Sequence, residues 1–209
     1  MKLNALETQK DYFYVPTYSV KIAGKDLLRK LFLSISSVEV DLKQKAAGRF
    51  SFTVQNSFDW ESSQFLAHRE DETVNLMELF AFGAPVEIDF GYGDHSKLTS
   101  MLQGIVTEIS TNFSEGNAPE LTISGYDGLY PLTSEKNTQN WENVRDSDVV
   151  SDIAEKNGLS AIVVQTDPVK PRIDQNQESD MAFLEKLAER NKVIFYMNGD
   201  TLYFGPRNN

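Results

Sequence analysis

Apolar and polar side chains alternate with period two in six separate runs within the first 124 residues. That is the pattern of strands with one packed face and one face left to solvent or a partner. The clearest runs are Tyr18-Ser19-Val20-Lys21-Ile22, residues 33–40, Arg49-Phe50-Ser51-Phe52-Thr53-Val54, residues 86–93, residues 100–110 and Glu120-Leu121-Thr122-Ile123-Ser124. Turn-forming residues separate them, as in Ala23-Gly24-Lys25-Asp26, Gly83-Ala84-Pro85 and Gly116-Asn117-Ala118-Pro119. Residues 58–68 carry no period and read as irregular, and Val74, Met77, Leu79 and Phe80 mark a helical patch. Several short strands with one helix among them predict a closed or nearly closed β-barrel.

The period changes in the last third. A polar stretch over residues 133–140 is the candidate domain boundary. Beyond it Asp146-Ser147-Asp148 precedes a helix with Val149, Val150, Ile153 and Ala154 on its inner face, and Asn157-Gly158 ends that helix. Residues 161–165 are strand-like, and Asp167-Pro168 and Lys170-Pro171 break the chain. Residues 177–190 predict a second amphipathic helix, with Met181, Leu184, Leu187 and Ala188 at helical spacing. Its acids (Glu178, Asp180) come first and its bases (Lys186, Arg190, Lys192) last, which suits the helix dipole. Two aromatic and β-branched runs then flank Asn198-Gly199, a hairpin signal. The expected fold is mainly β with an α+β extension. The expected domains are a barrel over 1–132 and an α+β unit over 133–209.

Composition narrows the chemistry. The chain has 209 residues, 31 acids against 20 Lys and Arg, and a formal net charge of −11. No run of bases offers a nucleic-acid or anionic-membrane surface, and no apolar stretch reaches the ~20 residues of a membrane-spanning helix. Cysteine is absent, so disulfides, thiolate metal sites and cysteine nucleophiles are excluded. The two histidines, His68 and His95, lie in polar contexts without a ligand pattern around them. Asp89-Phe90-Gly91-Tyr92-Gly93-Asp94 lacks both the ligand ladder of a calcium loop and the Lys-Ser/Thr of a phosphate loop, and reads as a strand end and turn. The acid pairs Asp146/Asp148 and Glu178/Asp180 sit at helix starts, where capping accounts for them. No catalytic, metal or cofactor residue is expected, and no cofactor. Two places suit a subunit interface: the cationic cluster Lys43, Lys45 and Arg49, set to meet an acidic neighbour, and the aromatic run Tyr12, Phe13 and Tyr14.

Order and residue type in the last segment carry a resemblance. Gln177, Glu178, Ser179, Asp180, Phe183, Leu184, Leu187, Ala188 and Glu189, followed by a hairpin and then Leu202, Phe204 and Gly205, resemble phage tail baseplate hub proteins. These comprise the late control gene D family and the hub half of the valine-glycine-repeat spike proteins of type VI secretion. Asn191-Lys192 stands where that family usually turns through a glycine. Pro85-Val86-Glu87-Ile88, Leu102-Gln103-Gly104-Ile105-Val106 and Leu121-Thr122-Ile123-Ser124-Gly125-Tyr126-Asp127 are similar to first-barrel segments of the same proteins. The resemblance implies a tail-tube-like barrel followed by a connector that begins a second, here truncated, hub domain. It implies a non-enzymatic structural part of a contractile phage tail or injection system, assembled in the cytoplasm and carried in the baseplate. Its expected partners are copies of itself in a trimer, a tail-tube protein and a spike protein, with no nucleic acid and no membrane span. The alternatives are a tube-like subunit, a hub-associated cell-wall hydrolase and a free carbohydrate-binding barrel.

Overall fold

The computed structural model describes residues 16–68, 72–93 and 97–207. The chain divides into two compact units, one of Met1–Val38 with Ser51–Ser124 and the other of Glu39–Phe50 with Gly125–Asn209.

The first unit is built on a seven-stranded sheet in the order β2-β1-β8-β9-β10-β4-β3. Its members are β1 (Pro16–Ile22), β2 (Lys25–Asp26), β3 (Ser34–Asp41), β4 (Arg49–Gln55), β8 (Pro85–Tyr92), β9 (Thr99–Asn112) and β10 (Glu120–Asp127). The alternation is translated directly into burial: along β4 Phe50, Phe52 and Val54 are buried and their neighbours are not. Val20, Ile22, Val86, Ile88, Leu102, Val106, Leu121 and Ile123 are buried in the same way. The mainly β class stands, with the sheet curled into a half-barrel. Among the described residues it stays short of closure: β2 is two residues long and pairs with β1 at Lys21 and Ile22.

Residues 58–68, expected to be irregular, form a small sheet with the segment that follows. Its strands are β5 (Phe58–Asp59), β6 (Gln64–His68) and β7 (Thr73–Asn75), in that order. Strands this short leave no detectable period in a sequence. The helical patch shrinks to the single turn α1 (Leu76–Leu79), with Val74 in β7 instead. Asn75 caps α1 by accepting hydrogen bonds from Met77 N (2.9 Å) and Glu78 N (3.4 Å). Leu76 and Phe80 are fully buried, and Phe80 meets Phe52 edge to face at 5.8 Å.

In the second unit α2 (Asp146–Lys156) and α3 (Asp180–Asn191) share one core with β14 (Ile194–Asn198) and β15 (Thr201–Gly205). The predicted faces are the buried ones: Val149, Val150, Ile153 and Ala154 on α2, and Leu184, Leu187 and Ala188 on α3. Phe183 joins them, and Met181 is only half-buried. Two expectations are corrected and the helix end is fixed. Helix α3 starts at Asp180 rather than at residue 177, because Gln177 takes φ +48 and Ser179 is the N-cap, its Oγ accepting from Ala182 N at 3.2 Å. The left-handed C-cap is Lys192, at φ 56 and ψ 39. The hairpin turns through Gly199-Asp200, since Asn198 pairs with Thr201. Gly199 has φ +62 at the first central position, as a II′ turn requires.

The strand-like run after α2 is β12 (Ser160–Val163), parallel to β15. A second ribbon was invisible to periodicity: β11 (Lys136–Val144) runs antiparallel to β13 (Lys170–Ser179). The polar residues 133–140 thus enter a strand, and Lys170-Pro171 opens one. Both strands are rich in Asn, Gln and charge and leave about half of their residues exposed, so neither shows a continuous apolar face.

Candidate functional site

The half-barrel leaves a seam. On one edge β1 is paired with β8 along its whole length, from Pro16↔Tyr92 to Ile22↔Val86. On the other edge it meets β2 at two positions, and Leu27 N–H donates to Val20 O at 2.9 Å. From Pro16 to Ser19 no described strand lies beside that edge. Strand β3, at the far end of the sheet order, has β4 as its sole described neighbour. Between the two edges lies a cleft of about 660 Å³, lined by Pro16, Tyr18, Val38, Phe90, Tyr92 and Met101 among others. Tyr18 bridges it, its hydroxyl donating to Ile35 O at 3.2 Å.

An exposed strand edge presents rows of unpaired N–H and C=O groups, a template for another strand. Along β3 no residue is fully buried, and Ile35, Val38 and Val40 are half-buried. The apolar period slips at Ser36-Ser37, so both faces of the strand carry apolar side chains. Further along β1, Lys21 Nζ binds Glu87 (2.7 Å) and Asp89 (3.3 Å), and those bonds raise the Lys21 pKa against the effect of burial.

The residues expected at an interface divide. Tyr12, Phe13 and Tyr14 lie outside the described residues. Lys43 Nζ is 2.9 Å from Asp41. Lys45 is held within its own unit: its N–H donates to Phe195 O (3.0 Å) and its Nζ lies 3.5 Å from Glu189. Arg49 is the first residue of β4. The loop carrying them is bolted down at Gly48, whose N–H donates to Asp127 Oδ2 at 2.7 Å while its carbonyl accepts from Asp127 N at 3.0 Å. A side chain at Gly48 would place its Cβ 2.8 Å from that carboxylate oxygen. Burial pushes the Asp127 carboxyl up, against the opposing bonds from Leu129 N and Gly48 N.

The capping account of the acid pairs holds for Asp148, which accepts from Arg145 N at 2.8 Å. It is incomplete for the other helix-start aspartates. Asp146 is 1% exposed and is bound by Lys170 Nζ (2.7 Å), Asn191 Nδ2 (2.7 Å) and the Arg190 guanidinium. Burial alone would raise its pKa; the bonds from Lys170, Arg190 and Asn191 outweigh that and hold it below the ordinary range. Asp180 accepts from Asn137 (2.9 Å), Asn157 (3.1 Å) and the fully buried Gln175 (2.8 Å). Partners this distant in sequence left no local signal. These networks join α2, α3, β11 and β13 into one unit; they are structural.

His68 ends β6, with Nδ1 3.4 Å from Thr73 Oγ1. His95 and Asp94 lie outside the described residues, and Asp89 is engaged by Lys21. Among the described residues no group of three or more His, Asp or Glu side chains is placed to hold a metal ion. No described helix is long and apolar enough to cross a membrane.

A family model described as the Alg8 N-terminal domain matches residues 15–206. A probable baseplate hub protein of Escherichia phage 186 is 30% identical over 188 residues, which are 87% of this chain and 46% of that protein. The 43 kDa tail protein of prophage MuSo2 from Shewanella oneidensis superposes with TM-score 0.63 at 16% identity, over 91% of this chain and 53% of that one. A tail protein from Neisseria meningitidis MC58 gives 0.61 at 18% identity, over 92% and 51%. An E. coli component of the type VI secretion system gives 0.51 at 13% identity, over 88% and 48%. At such identities the solved structures show the fold. The chain spans about half the length of these relatives. The phage 186 match agrees with the hub resemblance read from the sequence, and the solved structures agree with it in fold.

Proposed function

The chain belongs to the Alg8 N-terminal domain family, and from that premise we propose that it is a structural baseplate hub component of a contractile phage tail or phage-derived injection system. It joins the tail tube to the spike by assembly rather than by chemistry, and it resides in the baseplate of the finished particle. The observation that carries this reading is the seam among the described residues: a half-barrel with an eight-residue edge strand, β3, and an apolar cleft beside it. Both demand a neighbour, because an unpaired edge and exposed apolar surface are each stabilised by strand addition and burial. The likeness to tail and baseplate proteins supports it. Copies of the same chain fill the seam in a ring, a trimer in the full-length hub, with tube and spike proteins stacked on its two faces. Lys43, Lys45 and Arg49 add a lesser contact to an acidic neighbour.

Sedimentation velocity tests the reading. The Ser36→Lys/Val38→Lys variant places charge on the edge strand, the device by which natural edges resist pairing. The native chain is expected to associate as concentration rises, and the variant to stay monomeric with an unchanged circular dichroism melt. Equal association of the two overturns the seam as the contact. Reversing Lys43, Lys45 and Arg49 together is expected to weaken association without abolishing it.

A further inference from the structure

The hairpin of β5 and β6 carries a second surface, apart from the seam and independent of the hub reading. Phe58 pairs with Phe65 across the two strands, and the intervening tip begins at Trp60. Phe58 lies at the centre of an aromatic cluster, edge to face with Trp60 (4.9 Å), Phe65 (5.0 Å) and Phe113 (5.2 Å). Phe65 is 5% exposed and anchors the group, whereas Trp60 is 70% exposed and Phe113 57%. A fixed cluster with its two outer rings in water is costly to hydrate and suits an interface anchor. Carboxylates stand beside it in the sequence. Asp59 and Glu61 flank Trp60, and Glu115 follows Phe113 by two residues. Asp59 accepts from Ser62 N (3.0 Å), from the Ser62 hydroxyl and from Glu61 N (3.4 Å), which fixes the tip. The Ser62 bonds, with a smaller effect from His68, hold the Asp59 carboxyl below its ordinary range, so it is ionised near neutral pH.

Electron-rich ring faces with carboxylates beside them in the sequence match a cation that is flat, weakly hydrated and apolar on its faces. Guanidinium fits that description better than ammonium, and a chain of net charge −11 steers basic partners toward itself. We propose that the Trp60/Phe113 surface is a docking site for an arginine-bearing, basic surface on a partner protein. Arginine stacks on the two exposed rings while Asp59 and Glu61 take its N–H groups.

Fluorescence anisotropy of a labelled hexa-arginine peptide tests this on the whole chain at physiological ionic strength, with hexalysine and a neutral hexasaccharide as comparisons. Trp60→Leu keeps apolar bulk but removes the ring, and Phe113→Ala removes the second ring; circular dichroism melts check that each variant is folded. Hexa-arginine is expected to bind more tightly than hexalysine, the sugar to be silent, and either variant to lose roughly five-fold or more in affinity. The proposal is overturned if hexa-arginine does not bind or if hexalysine binds as well. It is equally overturned if both folded variants bind like the native chain, which leaves only the attraction of overall charge, or if the sugar alone binds through Trp60.

Discussion

In the unit built from residues 39–50 and 125–209, polar groups are spent inward. Asp146 gathers Lys170, Arg190 and Asn191, and Gln175 and Asp180 hold each other and the neighbouring asparagines. In the unit built from residues 1–38 and 51–124, the sheet ends in β3 and in a β1 edge that β2 covers at two positions only. One unit satisfies itself, and in the other, among the described residues, β3 has a neighbour on one side only and an apolar cleft lies beside it. On the proposed function, the difference predicts that stability rests mainly on one unit and association mainly on the other. Substitutions in the first-named unit should damage folding, and those at the seam should damage association.

The strongest way to break the comparison is Asp146→Ala. It strands Lys170 and Arg190, and breaking a buried pair costs about 3–5 kcal/mol; because both cations keep some contact with water, the low end, about 3 kcal/mol, is expected in a urea titration. A loss below about 1 kcal/mol would show that the network is ornamental. Next comes Gly48→Ala, which drives a methyl into the Asp127 carboxylate and is expected to cost about 1–3 kcal/mol in the same measurement.

Acid separates two aspartates of opposite sign. Asp146, with a lowered folded pKa, contributes stability that is complete above its unfolded value of about 3.9 and is lost as pH falls through the folded value. Asp127, with a raised folded pKa, costs stability above that value, and the cost disappears as pH falls toward about 3.9. Melting temperature should therefore rise slightly on mild acidification and drop below about pH 4. Asp146→Ala should flatten the drop and leave the rise. Along β1 the effects on folding are smallest. Tyr18→Phe removes one hydrogen bond and should cost about 0.5–1 kcal/mol by urea titration. Lys21→Ala opens a half-exposed ion pair and should cost below about 1 kcal/mol.

Legibility followed locality. Strand β4 could be read almost to the residue because Phe50, Phe52 and Val54 alternate with Ser51 and Thr53 and bury as they alternate. The inner face of α2 was equally plain, since Val149, Val150, Ile153 and Ala154 fall at helical spacing. The ribbon of β11 and β13 was not, because a strand such as Lys136–Val144 with Asn, Gln and Glu on both faces has no apolar period to detect. Asp146 read as a cap because its partners lie 24 to 45 residues away. The candidate site was half visible. Residues 33–40 read as an alternating strand with one packed face, and which edge goes unpaired depends on strand order, which is decided by non-local pairing.

Hydrogen–deuterium exchange on the chain, followed from dilute to concentrated solution, tests the division of labour most directly. The account predicts slow exchange along Asp180–Asn191 at every concentration, and fast exchange, when dilute, of those β3 amides that point away from β4, slowing as the chain associates. If the seam amides are already protected in the dilute monomer, or stay fast while the chain associates, the open edge is not what joins one copy to the next.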